Sequence, residues 1–332
     1  MAIEITDPRS APQSFIDGML LPLIKNPEDV SLLRTMIIAT TIGLGIIVAT
    51  VAAVPYAVFL YIPYYLIFMG PVTLAMHNIA HRPMMKKKGV DRIIINLASA
   101  TLGFAPDGYS AHHLSMHHKE GNAHSDLSST MKYQRDSVFH FLHYYFTFLF
   151  LGPFTLFSYL KKRKRKRIYR RLIIGELSWW LFIGFIAFLN WKAAIFVFII
   201  PTISTRFLLM AGNWAQHAFI EPVGWEDQFS SVTTFINSGY NKRCFNDGYH
   251  LIHHLKPAAH WTEMPKRFEE VLPKILERNA LVFDGIDYFV IWLLLMTHRH
   301  RYLASKLLFI DLDLDEKIAL IKHRLEPIPA PS

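Results

Sequence analysis

Residues 35–54 read TMIIATTIGLGIIVATVAAV, twenty consecutive positions without a charge. At 1.5 Å per residue a helix of that length reaches about 30 Å, the thickness of a bilayer's hydrocarbon core. Pro55 marks a turn, and residues 56–76 form a second uncharged run that delivers His77 at its far end. Arg82, Lys86, Lys87 and Lys88 follow at once, so the positive-inside rule assigns that end to the cytoplasm. Residues 172–189 and 193–212 make a second pair of spans, joined at Asn190-Trp191-Lys192, and return Asn213 and His217 to the same side. Arg206 is a charge inside the last of these spans.

The composition agrees with a membrane class. Of 332 residues, 52% are apolar and only 18% charged, with a mean hydropathy of +0.23, whereas soluble domains carry about 25% charged residues. Disorder, collagen-like repeats and a disulfide scaffold are excluded. The net charge of +9 comes from nine basic residues within 161–171; the remaining 26 basic residues match the 26 acidic ones. That run reads as a cytoplasmic anchor at lipid headgroups, and nucleic acid loses its support as a partner.

The fold expected is therefore all-α: four transmembrane helices in two hairpins, with spans near 34–54, 56–76, 172–189 and 193–212, under a cytoplasmic helical cap that holds a histidine-rich dimetal site. Residues 1–33 read as a cytoplasmic lead-in without the features of a signal peptide. Residues 34–275 form the histidine-bearing domain, and 276–332 a cytoplasmic or interfacial helical tail. Residues 138–160 are long enough to cross. Crossing would put the basic run and the histidines at 112–118 on opposite sides, so an interfacial or re-entrant helix is expected there. Residues 286–296 are too short to span, and 93–104 are expected to pack below the membrane surface. Both termini are placed inside.

Ten of the 17 histidines fall in four segments: His77-Asn-Ile-Ala-His81, His112-His113-Leu-Ser-Met-His117-His118, Asn213-Trp-Ala-Gln-His217 and His250-Leu-Ile-His253-His254. On a helix, positions i and i+4 share a face, so His77 with His81, His113 with His117, and His250 with His254 can each aim two imidazoles at one point. His118 and His253 add donors. His112 sits five residues before His117 and faces partly away. Nine imidazoles exceed the needs of one ion and imply two. The lone Cys244 offers no thiolate cluster, so the donors are neutral nitrogens, with two irons preferred and copper or zinc compatible by ligand type. Asp126, Asp247 and Glu221 are candidates to fix imidazole tautomers. His124, His140, His143, His260, His298, His300 and His323 fall outside the spacing and read as structural.

These segments resemble the histidine boxes of the integral-membrane fatty acid desaturase and hydroxylase superfamily. The boxes are His77/His81, His113/His117/His118 and His250/His253/His254, and the flanks HHKEGNAHSD and FNDGYHLIHHLKP are also similar. The resemblance covers roughly residues 34–275. It implies two hydrophobic hairpins, boxes on the cytoplasmic face, and a di-iron centre of nine histidines that includes His217, with Asn213 in support. It also implies a lipid or fatty acyl substrate, O2, and a separate electron donor of ferredoxin or cytochrome b5 type, since no cytochrome-like domain is fused. The first box is one residue shorter, and the central box one longer, than in the acyl-coenzyme A branch, so a coenzyme A thioester carrier is not implied.

The activity expected is O2-dependent desaturation of an unactivated acyl chain, chemistry beyond the reach of acid–base groups alone. Hydroxylation or ketolation of a fatty acid, sphingoid, alkane or carotenoid shares the first hydrogen abstraction and stays open. So do a membrane metal or haem transporter, whose ligands belong near the bilayer midplane, and a structural adaptor without iron.

Overall fold

The computed structural model describes residues 3–222, 224 and 226–330. In chain order the main elements are α1 (Val30–Val51), α2 (Ala57–His81), α3 (Val90–Thr101), α4 (Val138–Lys162), α5 (Lys166–Leu189), α6 (Trp191–Gln216), β1 (Thr234–Ile236), α7 (His250–Leu255), α8 (Met264–Glu277), β2 (Val282–Asp284), α9 (Tyr288–Met296), α10 (His300–Ser305), β3 (Leu307–Leu308) and α11 (Leu314–His323). The chain divides into two compact units: Met1–Arg9 with His117–Pro153 and Leu208–Ser332 (the first unit), and Ser10–Met116 with Phe154–Phe207 (the second).

The second unit is built on two antiparallel hairpins. The first turns at 52–56 and the second at Asn190, whose Oδ1 caps the next helix by accepting from the Ala193 N–H. Asn190 Nδ2 also donates to the Thr50 carbonyl near the end of α1, 3.1 Å away, which ties the two turns together. Gly43 is required where α1 and α2 cross, because a Cβ there would run into the Tyr64 ring. Tyr61 donates to the Thr101 carbonyl and Tyr64 to its hydroxyl, both at 2.7 Å, which fixes α3 beneath the hairpin. Arg206 meets Glu176 of α5 at 3.9 Å, a second charge within the predicted spans that offsets the first. The outer faces of these helices are apolar: Phe188 is 87% exposed and Leu181 74%. Burying such a side chain away from water is worth about 1.5–3 kcal/mol, so these faces call for hydrocarbon around them.

Among the described residues, five helices are long and apolar enough to cross a membrane: α1 extended back to Pro27, α2, α4, α5 and α6. The fifth, α4, runs through Gly152-Pro153 without interruption. Its two histidines are held locally: His140 Nδ1 accepts from the Gln134 N–H at 2.9 Å, and His143 Nδ1 faces the Tyr133 hydroxyl at 3.1 Å.

The first unit departs from the all-α expectation. It contains a three-stranded sheet in the order β1-β2-β3, with β1 parallel and β3 antiparallel to β2. The strands are only two or three residues long, too short for their period to register in sequence. Tyr249, Ile252, Phe268, Ile275 and Val282 fill the core between this sheet and α7 and α8. Residues of the expected lead-in join it. Asp7 is buried and accepts from the Asn237 N–H and the Tyr249 hydroxyl, each at 2.7 Å, and the Pro8 carbonyl accepts from Asn246 Nδ2 at 2.7 Å. A second tie is Arg135, fully buried, whose guanidinium donates to the carbonyls of Ala218, Arg324 and Glu326 from distant parts of the chain.

Candidate metal centre

In the second unit the last turn of α2 presents His77 and His81 with ring centroids 5.2 Å apart, as i,i+4 spacing requires. The turn is held because the chain ends its helix at Arg82, whose guanidinium pairs with the buried Asp29. His113 completes the trio. Its ring lies 4.5 Å from that of His77, its Nε2 is 2.9 Å from His81 Nε2, and Tyr109 stacks on its other face at 5.3 Å.

In the first unit, His117, His217, His250 and His254 offer nitrogens that all lie within 4.8 Å of one another. His250 and His254 share a face of α7, with Nε2 atoms 3.1 Å apart, and His250 Nε2 is 3.4 Å from His217 Nε2. His118 and His253 form a further pair, with Nε2 atoms 2.8 Å apart.

The loop at 122–135 positions much of this. Thr130 Oγ1 donates to the His217 carbonyl at 2.6 Å, Asn122 Nδ2 donates to Thr130 Oγ1, and Trp214 Nε1 donates to the Arg135 carbonyl at 2.8 Å. Asp126, buried in the loop, accepts from the Ser128 N–H and hydroxyl at 2.9 Å, and its other oxygen lies 2.7 Å from His117 Nδ1. A carboxylate and a carbonyl can only accept, so His117 donates Nδ1–H to Asp126 and His217 donates Nδ1–H to the Ser231 carbonyl, 3.1 Å away. Both Nε2 atoms therefore carry lone pairs turned into the group. Burial, reinforced by His117, pushes His217 down to about 3, so its ring is neutral at physiological pH.

Several lone pairs converging in a buried space repel unless a cation sits among them. Metal–nitrogen bonds of about 2.1 Å separate neighbouring ligands by about 3.0–3.4 Å, close to the observed spacings of 2.8, 2.9, 3.1 and 3.4 Å. The donor set, neutral imidazole nitrogen throughout, fits a divalent transition metal such as iron.

Each expected ligand has thus been placed, with one pairing corrected. His113 and His117 do not aim at a common point: His113 joins His77 and His81 in the second unit, and His117 joins the four-histidine group in the first. They occupy the two ends of a π-helical turn, His113–His117, an irregularity that helical-wheel spacing cannot anticipate. His112 belongs to neither group. Asn213 is anchored by Nδ2, which donates to the Ser128 carbonyl at 2.9 Å and to Tyr144 at 2.8 Å, so Oδ1 is the atom it can offer. Of the acidic candidates, Asp126 does fix a tautomer. Glu221 pairs with Arg324 at 3.2 Å instead, and Asp247 lies 3.5 Å from the Tyr240 hydroxyl, its carboxyl pushed up to about 7 by burial. The Ser231 carbonyl was not foreseeable, because any residue type supplies one. His260 caps a turn by accepting from the Thr262 N–H.

A family model described as fatty acid desaturase matches residues 49–285. Comparison with curated proteins and with solved structures gives no match.

Proposed function

The chain belongs to the fatty acid desaturase family, and on that premise we propose that it is an O2-dependent membrane desaturase of lipid or fatty acyl chains with a non-haem di-iron centre. The observation that carries this reading is the convergence of the His117 and His217 lone pairs on the imidazole nitrogens of His250 and His254. Nine histidines, His77, His81, His113, His117, His118, His217, His250, His253 and His254, hold two irons, one of them within the four-ring group, and Asn213 supports the centre through Oδ1. Bound iron supplies the oxidising power that removes hydrogen from an unactivated methylene pair.

The protein's own residues hold and exclude. Asp126 and the Ser231 carbonyl keep protons on the outer nitrogens of His117 and His217, so both rings remain ligands and not acids. The buried setting of both groups excludes bulk water from a reactive oxidant. Forming a double bond while O2 goes to two waters consumes two electrons and two protons from outside the substrate. A separate donor of ferredoxin or cytochrome b5 type meets that demand.

In this reading α1, α2, α5 and α6 are the four spans, α4 lies along the interface, and the histidines and both termini are cytoplasmic. Its basis is the charge run that follows α4 and the histidines' placement at or beyond helix ends. That placement also argues against a transporter, whose ligands belong at mid-span.

The test is aerobic turnover of purified, iron-loaded protein with a reductant and acyl substrates, followed by mass spectrometry. Loss of two hydrogens is expected. A stable gain of one oxygen reassigns the protein to the hydroxylases, and an absence of bound iron defeats both.

A further inference from the structure

Asp136, at the end of the 122–135 loop, faces two histidines that sequence spacing set aside. Its Oδ2 lies 3.0 Å from His300 Nε2 and 3.6 Å from His298 Nδ1, and the three ligand atoms fall within 4.8 Å of one another. Its other oxygen accepts from Gln134 Nε2 at 2.7 Å, which turns Oδ2 toward the imidazoles. All three residues belong to the first unit.

Two details distinguish this trio from an ordinary ion pair. His300 is buried, and among the described residues its Nε2 faces no partner besides the Asp136 oxygen, 3.0 Å away. Two ligands of one metal stand about that far apart. The second detail is the backbone of His298, at φ 52°. It occupies the left-handed position after α9: its N–H bonds to the Leu295 carbonyl and the Arg299 N–H to that of Leu294. This Schellman ending favours glycine. A histidine held there has its ring delivered beside His300 at a conformational cost that the cap itself does not require.

We propose that Asp136, His298 and His300 form a further cation site, separate from the nine-histidine centre, that takes a borderline divalent ion such as Zn2+. Two imidazoles and a carboxylate are a common zinc donor set. His298 is 64% exposed on its side chain, so water completes the coordination and the site can exchange with solution. The Lys322 charge acts against a cation there through His300, while the neighbouring Arg135 guanidinium is turned away to backbone carbonyls. An ion at this place joins the α9–α10 turn to the loop that carries Asp126.

The test is zinc titration of the purified iron-loaded protein against a chromophoric chelator, with iron measured in the same samples. Wild type is compared with His298→Gly and Asp136→Asn. Glycine suits the left-handed position, so His298→Gly keeps its fold while losing a ligand. The expectation is one zinc equivalent fewer in each variant with iron unchanged, and a rise of a few degrees in Tm with zinc at about a hundred times Kd in wild type only. Equal zinc uptake by wild type and His298→Gly, or uptake by neither, overturns the proposal. A parallel loss of iron also overturns it, by assigning the zinc to the nine-histidine centre.

Discussion

The two histidine groups reach similar spacing with different amounts of supporting chain. The trio of His77, His81 and His113 draws two rings from one helix and a third from the start of the π-helical turn, and its shape follows from helix geometry and a stacked tyrosine. The quartet gathers His117, His217, His250 and His254 from three distant segments, and hydrogen bonds to Asp126 and Ser231 set the orientation of two of its rings. A group made from local spacing is robust to changes elsewhere. A group assembled from distant segments depends on every tie that holds those segments.

The largest test of that contrast is His254→Ala, which takes one ligand from the quartet. Iron per chain, measured by elemental analysis, is expected to fall from two to one or less; retained stoichiometry would remove the quartet from the ligand set. Asp126→Asn is gentler, because it leaves the four rings and removes only the charged acceptor behind His117. Metal affinity is expected to fall about 10- to 100-fold, read by chelator competition, since losing such an outer partner has that effect. The smallest change comes from the N-terminal strap. Asp7→Ala leaves the Tyr249 hydroxyl, one residue before His250, without its acceptor. A cost of about 1–3 kcal/mol is expected for such a buried group, seen as a lower Tm, with iron release from the quartet preceding any change at the trio. Simultaneous release would erase the contrast.

Much of this was legible in the chain. The long apolar runs at 35–54, 56–76, 172–189 and 193–212 lie largely within helices, because composition over twenty residues outweighs local detail. The histidine segments were legible because four of them recur in one chain with adjacent-histidine motifs, whereas a lone i,i+4 pair is often fortuitous. What escaped depends on tertiary placement. The splitting of His113 from His117 required a π turn, the small sheet rests on strands too short to show a period, and the strap at Asp7 makes contact across more than 200 residues of sequence. The trio at Asp136, His298 and His300 escaped because its carboxylate lies about 160 residues from its imidazoles.

The single-residue joint at Asn190 carries one more implication. With the short link at 52–56 it makes up the outer end of both hairpins, and the two are laced together through the Thr50 carbonyl. In the topology proposed above, the side of the bilayer opposite the chemistry thus presents almost no grip. Proteases, antibodies or impermeant labels applied there meet two stubs, so a binder that is to report on this enzyme has to be raised from within the cell.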